Sequence, residues 1–318
     1  MSSEEASELP AGYRGRPLSL DDIAAVAGVW RRCDAALGVH PESPESFLNW
    51  VLRLPFVVHA RDALGVEHDG EIVAFAVAQR DPTSEGSPFD WFADVDPSHQ
   101  GRGLGSSIVR WALEVADRRM GDEGRFDVQA RCSGPNTAAR QLLGSAGFVH
   151  LRTMWDMHRD VRGYEDRSAP PDGVSIRTFE TGRDERTFWQ VTEDAFAEHF
   201  GHAPNPYDSF EAMWYTAPDW HSERILLAER DAEVVAEAAW VDSDPDGYIV
   251  SIGVLSEHRR LGIAQALLRR AFADIAAAGF PNATLSVDSE NTTGAVELYR
   301  TVGMEPIRET LVFRRLES

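Results

Sequence analysis

The amino-acid sequence predicts an α/β protein of two consecutive domains, each a mixed, mostly antiparallel sheet flanked by helices. Three observations carry this. At 318 residues the chain is too long for one ordinary compact domain and comfortable for two. Stretches with the period of strands alternate with stretches with the period of helices in both halves, the pattern of a sheet covered by helices. One strand–turn–helix pattern is also written twice, from Val95 to Gly105 and from Val254 to Ala264, in constant register: 254 − 95 = 159 and 262 − 103 = 159.

The elements come in order along the chain. Ser19-Leu-Asp-Asp-Ile opens a first amphipathic helix with N-cap residues, and Thr181-Gly-Arg-Asp-Glu opens its counterpart. Residues 89–95 and 248–254 read as strands, each running into the glycine turn and then a helix. The apolar or small positions of the first helix are Leu104, Ile108, Val109, Ala112, Leu113 and Ala116; those of the second are Ile263, Leu267, Leu268, Ala271, Phe272 and Ile275. The offsets are identical, and they put one stripe of side chains toward a sheet. Strands at 126–132 and 283–287 come next, succeeded by Asn136 and Asn291, a short helix, and a glycine stop at Gly147 and Gly303. Between the halves, Gly163 to Gly173 has the proline, glycine and charge content of a linker. The expected domains are residues 1–163 and 174–318, joined by 164–173.

Composition narrows the function. Apolar residues make up 43% and charged residues 26%, as in a soluble globular protein. No long apolar run and no basic-then-apolar leader is visible, which predicts a cytoplasmic chain with no membrane partner. Cys33 and Cys132 are too few for a disulfide framework and lack metal-ligand spacing, so no metal is expected. His199 and His202 stand three apart, but no third ligand has suitable spacing. A formal charge of −21 argues against a nucleic-acid partner, whose backbone needs a basic surface, and favours a neutral or cationic substrate. All 31 basic residues are arginine, which excludes lysine nucleophiles and a Walker-type phosphate loop.

A strand that ends in Gln/Arg-x-x-Gly-x-Gly/Ala and turns directly into a helix presents unpaired backbone N–H groups at the helix N-terminus, where the dipole also favours an anion. Small residues there let a pyrophosphate approach the backbone, and Arg102, Arg259 and Arg260 add charge. A single such turn is more often a packing device; two in matched settings point to a bound anion.

With these residues the sequence resembles the GNAT (GCN5-related) acetyltransferases. Val95 to Gly105 fills every position of the family motif, while the second copy has Ser256 for the proline and Arg260 for the first glycine. The resemblance implies a tandem GNAT fold and acetyl-CoA as co-substrate, lying between the fourth and fifth strands of a domain. Its pyrophosphate would lie on Gln100, Gly101, Arg102, Gly103, Leu104, Gly105 and Ser106, or on Arg259, Arg260, Leu261, Gly262, Ile263, Ala264 and Gln265. Its pantetheine would pair with main chain of Ala93, Asp94 and Val95, or of Ile252, Gly253 and Val254, with Asn291 bonding that arm or capping a helix.

The resemblance also implies a primary amine of a small molecule as acceptor, a proton acceptor for that amine, and a proton donor for the leaving thiolate. Tyr299 matches the family donor, since 303 − 299 = 4 places it four residues before the glycine stop; the same position in the first half is Leu143. Glu237, Tyr248 and Ser251 are the candidate bases, with Asp90 their counterpart in the first half. Chemistry is therefore expected in the second domain, in a monomer or homodimer. The stretch 193–202 and the stretch 33–40 lie where the family carries acceptor helices, and Trp214 and Trp220 are candidate pocket aromatics. Among tandem members the plan is similar to that of mycothiol synthases, with Tyr248 replacing an expected glutamate and an inserted residue in 288–295. An acetyl-CoA-binding sensor is the alternative of a different class.

Overall fold

A computed structural model describes residues 9–39, 44–199, 202–215, 221–291 and 293–316, and the chain forms two compact units. Unit 1 comprises Met1–Met154 together with Arg308–Ser318, and unit 2 comprises Trp155–Ile307.

In unit 1, β1 (Arg14–Pro17) leads through α1 (Ile23–Leu37), α2 (Pro44–Arg53) and α3 (His59–Asp62) to the antiparallel strands β2 (Ala63–His68), β3 (Glu71–Gln79) and β4 (Phe89–Val95). Then come α4 (Leu104–Glu123), β5 (Val128–Ser133), α5 (Thr137–Ser145) and β6 (Phe148–Asp160). Unit 2 repeats the plan with β7 (Val174–Thr178), α6 (Glu185–Phe196), α7 (Tyr207–Trp214), β8 (Ile225–Arg230), β9 (Glu233–Ser243), β10 (Asp246–Val254), α8 (Ile263–Ala277), β11 (Asn282–Asp288) and α9 (Ala295–Thr301). The last strand, β12 (Glu305–Arg315), closes the chain.

The first four strands of each unit lie in sequence order, and the fifth, β5 or β11, joins the fourth in parallel. Past the fifth strand, the arrangement departs from the contiguous domains expected. Strand β12 pairs antiparallel with β5 over Thr310↔Ser133 to Arg314↔Gln129, so the C-terminal strand belongs to unit 1. Strand β6 contributes its first half to unit 1 and its second half to unit 2, where it neighbours β11. Alternating patterns predict that a strand exists but carry no information about which fifth strand it borders.

The first residue of the stretch expected to be a linker is packed, while residues 165–170 are mostly exposed and lie in no helix or strand. Tyr164 sets its ring edge-on to Phe272 of α8 at 6.0 Å, with the Arg159 guanidinium over its face. Pro171-Asp-Gly173 repeats Pro10-Ala-Gly12, each glycine in the left-handed region (φ +76° and +88°) just before the first strand of its unit. A second device is also repeated. Arg16 reaches Asp22 at 2.7 Å and Glu67 at 2.5 Å, and Arg177 reaches Asp184 at 2.5 Å and Glu229 at 2.7 Å, fastening the helix entry to the first two strands in both units.

The helical stripes read from sequence face the sheets. Leu104, Ile108, Val109, Ala112 and Ala116 pack with Ala76, Trp91 and Ala130; Ile263, Leu267, Leu268, Ala271, Phe272 and Ile275 pack with Ala238, Ile249 and Leu285. On the other face of the unit 2 sheet, Phe188, Phe210, Ile225, Leu227 and Ala239 form a second core. Trp214 is half-buried and packs against it, stacking on Phe210 at 5.5 Å; Trp220 and His40 lie outside the described residues.

Candidate active site

Each glycine turn joins the end of the fourth strand to a helix whose N-cap is a left-handed glycine, Gly103 at φ +89° and Gly262 at φ +82°. A β-carbon is strained there, which is the local reason for glycine at both. The first bonds back into these helices run from Ser107 N to Gly103 O and from Ala266 N to Gly262 O. The N–H groups of Leu104, Gly105 and Ser106, and of Ile263, Ala264 and Gln265, therefore precede the helical ladder and form an anion-suited helix end. Gly105 has a packing duty as well, since a β-carbon on it would come within 2.9 Å of Leu142 of α5.

The polar side chains of the turn brace it more than they face outward. Gln100 Nε2 donates to Val95 O at 3.1 Å, and at the matching position Arg259 Nε donates to Val254 O at 3.1 Å. Arg259 also reaches Ala195 O at 3.1 Å and Glu198 at 2.6 Å, tying the turn to α6 and its exit. Arg102 donates to Tyr13 Oη at 3.2 Å and to Ser98 O at 3.1 Å. Arg260 and Leu261 are exposed, and Arg260 holds φ +62° where its counterpart Gly101 has φ +72°.

The strands open beside these turns. Parallel pairing of β4 with β5 runs from Phe89↔Val128 to Phe92↔Arg131, and that of β10 with β11 covers only Gly247↔Ala283 and Tyr248↔Thr284. Ala93, Asp94 and Val95, and Ile252, Gly253 and Val254, lie past the last pairs and keep partners only on β3 and β9. An inserted residue, Val250, shifts the β10 register between Ile249 and Ser251. The result is a cleft between fourth and fifth strands in each unit, with main-chain groups on one wall and the glycine turn at its mouth.

In unit 2 the sequence candidates separate clearly. Glu237 pairs with Gly253 across the sheet and is wholly buried, 0% exposed, where a solvated side chain is the common expectation. A β-carbon on Gly253 would lie 2.9 Å from Glu237 Oε1, so this glycine makes room for the carboxyl. Ser251 Oγ donates to Oε1 at 2.6 Å, while Oε2 has no hydrogen-bond partner among the described residues. Burial pushes the carboxyl up to about 8, against the pull of the Ser251 hydroxyl. Tyr299 on α9 is 7% exposed; burial, and then the charge of Glu237, push its hydroxyl well above the ordinary tyrosine range, so it stays protonated. Tyr248 lies at the closed end of the cleft, opposite Thr284, and Asn291 Oδ1 accepts from Thr293 N at 2.8 Å and Ala295 N at 3.4 Å, a capping role. His199 sits edge-on to Phe196 at 4.6 Å, and burial, with Arg259 second, lowers its imidazole; His202 is 3.4 Å from Glu193. Among the described residues no cluster of His, Cys, Asp and Glu could hold a metal ion.

Unit 1 is arranged differently. Asp90 is not the counterpart of Glu237: it is tied to Arg131 at 2.6 Å. Registered by strand pairing, Phe75 takes the place of Glu237 and Asp94 the place of Gly253, so the carboxylate comes from the adjacent strand. Asp94 was expected to offer only main chain. Asp94 keeps the constant offset, 253 − 94 = 159, whereas Phe75 and Glu237 depart from it, 237 − 75 = 162, because the chain between the paired residues is three residues longer in the β3–β4 hairpin than in the β9–β10 hairpin. Leu143, at the place of Tyr299, is buried core.

Both repeats match the model of the acetyltransferase (GNAT) family, over residues 28–148 and again over 188–304. The chain belongs to the GNAT acetyltransferases. It is an N-acetyltransferase of two tandem GNAT regions, and acetyltransferases of this fold use acetyl-CoA. The mycothiol acetyltransferase of Thermobispora bispora is 28% identical over 302 residues, covering 92% of this chain and 96% of its own. That of Thermomonospora curvata is 29% identical, covering 89% of each. A GCN5-related N-acetyltransferase from Sphaerobacter thermophilus superposes with a TM-score of 0.83 at 27% identity, covering 97% of this chain and 96% of that one. A tandem GNAT protein from the clavulanic acid biosynthesis pathway shares the fold, with a TM-score of 0.69 at 16% identity.

Proposed function

We propose that unit 2 performs the chemistry, moving the acetyl group of acetyl-CoA to the primary amine of a small molecule. The observation that carries this is the buried Glu237 carboxyl, held at one oxygen by Ser251 and without a partner at the other among the described residues, at the open end of the strand cleft. The residues present fit acetyl-CoA: an anion-suited helix end with a left-handed glycine, and beside it a length of main chain past the last parallel pair. The N–H groups of Ile263, Ala264 and Gln265, with exposed Arg260, would hold the pyrophosphate, and Ile252 to Val254 the pantetheine. Unit 1 would hold a second acetyl-CoA in the same way on Leu104 to Ser106 and on Ala93 to Val95.

When bound, acetyl-CoA supplies an acyl group activated as a thioester. Glu237 Oε2 takes the proton shed by the amine, and Ser251 orients the carboxyl by fixing Oε1. Tyr299 Oη gives a proton to the departing sulfur. Tyr248, at the closed end, is not assigned the base. Holding both reactants in one cleft supplies most of the acceleration, so few chemical groups suffice.

The acceptor reading best supported is that of the mycothiol acetyltransferases, because those relatives match across nine-tenths of the chain. Thiol release with that acceptor set against a panel of simple primary amines tests both levels. Turnover of simple amines alone removes the narrower reading, and binding of acetyl-CoA without turnover of any amine would leave a sensor.

A further inference from the structure

Unit 1 places a second set of chemical groups in its own cleft. Asp94 lies past the last β4–β5 pair, and on the same sheet face Asp34 of α1 is buried, 3% exposed, and joined to Arg308 of β12 at 2.7 Å. Asp34 Oδ2 makes no hydrogen bond of normal geometry among the described residues. The Cys33 thiol donates to Val95 O at 3.3 Å and lies against Asp94. The remaining charges are Asp96 and Arg32, joined at 2.5 Å. Two arginines thus answer Asp34 and Asp96, while Asp94 has no ion-pair partner among the described residues.

Next to this charge stands an aromatic wall. Phe75 is opposite Asp94 in the register, and Trp30 lies on Phe75 at 6.0 Å and on Phe92 at 5.7 Å. Phe47 touches Phe92 at 5.3 Å and Trp50 at 5.9 Å, and Phe47 and Trp50 are 38% and 44% exposed. Unit 2 has Glu237 and Ser251 where unit 1 has Phe75 and Phe92, so the two acceptor sides differ in chemistry and not only in strength.

We propose that unit 1 is a second, slower acetyl-transfer site, with Asp94 as its base, for a primary amine carrying an aromatic body that lies on Phe47, Trp50 and Phe92. The excess carboxylate suits the ammonium form in the encounter, and the wall suits a flat apolar group. Burial and the charge of Asp34 push Asp94 up to about 7, against Arg308 and the Cys33 thiol, so it accepts a proton near neutrality. The bound ammonium first gives one proton to solvent, and the neutral amine nitrogen then attacks the thioester carbonyl carbon of acetyl-CoA. The C–N bond forms, the C–S bond breaks, the nitrogen's proton passes to Asp94, and CoA leaves as the thiolate to be protonated by solvent. Leu143 offers no proton at that step, which makes the site slow; an ordinary thiol, with a pKa of about 8.5, still leaves as the thiolate without a donor.

The inference rests on the reading that unit 1 also holds acetyl-CoA, and stands apart from the assignment of Glu237 and Tyr299. The test uses the full chain with Glu237→Gln and Tyr299→Phe combined, tracking thiol release with phenethylamine and acetyl-CoA. Release above the amine-free rate is expected, falling about 100-fold on adding Asp94→Asn. In the same background Phe47→Ala is expected to raise KM about tenfold with kcat kept. No release above the amine-free rate, or release unchanged by Asp94→Asn, overturns the proposal. Loss of mycothiol-type activity in the double variant bears only on unit 2, so the two readings fail separately.

Discussion

Glu237→Gln keeps the shape of the side chain and an oxygen for the Ser251 hydroxyl while removing the titrating group. The carboxyl lies at about 8 against an ordinary 4.5, so at pH 7 only about one-tenth of it is ionised, and the ionised fraction rises about tenfold for each pH unit below 8. As a base it should make the ratio of wild-type to variant kcat/KM climb from pH 6 to pH 8 and level off at about 10²–10⁴. Taking the ratio cancels the titration of the amine itself. The same proton acts on stability with a definite sign. Between pH 4.5 and 8 the folded state binds more protons at this site than the unfolded state, so the contribution is fully present below 4.5 and lost as pH rises through 8. The loss is at most about 4 kcal/mol by pH 8, and the variant lacks it. Initial rates and urea melts of both proteins at half-unit steps from pH 5 to pH 9 measure the two effects. A rate ratio flat in pH, together with a stability difference flat in pH, would refute a raised, proton-accepting Glu237.

Three further outcomes rest on particular contacts. Arg260 holds a left-handed φ of +62°, so Arg260→Gly should raise stability by about 1 kcal/mol in thermal melts while weakening acetyl-CoA binding in calorimetry, as strain kept for function predicts. Arg308→Ala leaves Asp34 buried without its cation and should cost about 3–5 kcal/mol, read by denaturant melts. A proteolytic nick between residues 163 and 173 should not release two folded fragments on native gel filtration, because Arg308–Ser318 belongs to the unit formed by the N-terminal half.

The parts of the fold legible in the sequence were those set by local physics. The glycine turns at 103 and 262 and the stripes on α4 and α8 come from spacing and residue type, while for Asn291 these leave a pantetheine contact and a cap both open, and its hydrogen bonds to Thr293 N and Ala295 N decide for the cap. The placement of β12 was not legible, since its alternating pattern fits any open sheet edge of suitable polarity. Asp94 was missed as chemistry for a related reason. That it stands opposite Phe75, where unit 2 has Gly253 opposite Glu237, appears only when β3 is registered on β4, since the offset between Phe75 and Glu237, 237 − 75 = 162, departs from the 159 that found the turns. Glu237 was visible as a residue but not as a buried one, because burial depends on α6 and on the absent side chain of Gly253.

The central claim, that unit 2 carries the chemistry through Tyr299, meets its most direct test in single-turnover thiol release by the full chain with saturating acetyl-CoA and acceptor. Tyr299→Phe keeps the ring in its packed place and removes the proton, so the account predicts a fall of about 10²–10⁴ in the chemical step with acceptor binding little changed. Leu143→Ala, its counterpart in unit 1, should lower stability and leave that step intact. A Tyr299→Phe enzyme turning over at the wild-type rate would contradict the assignment.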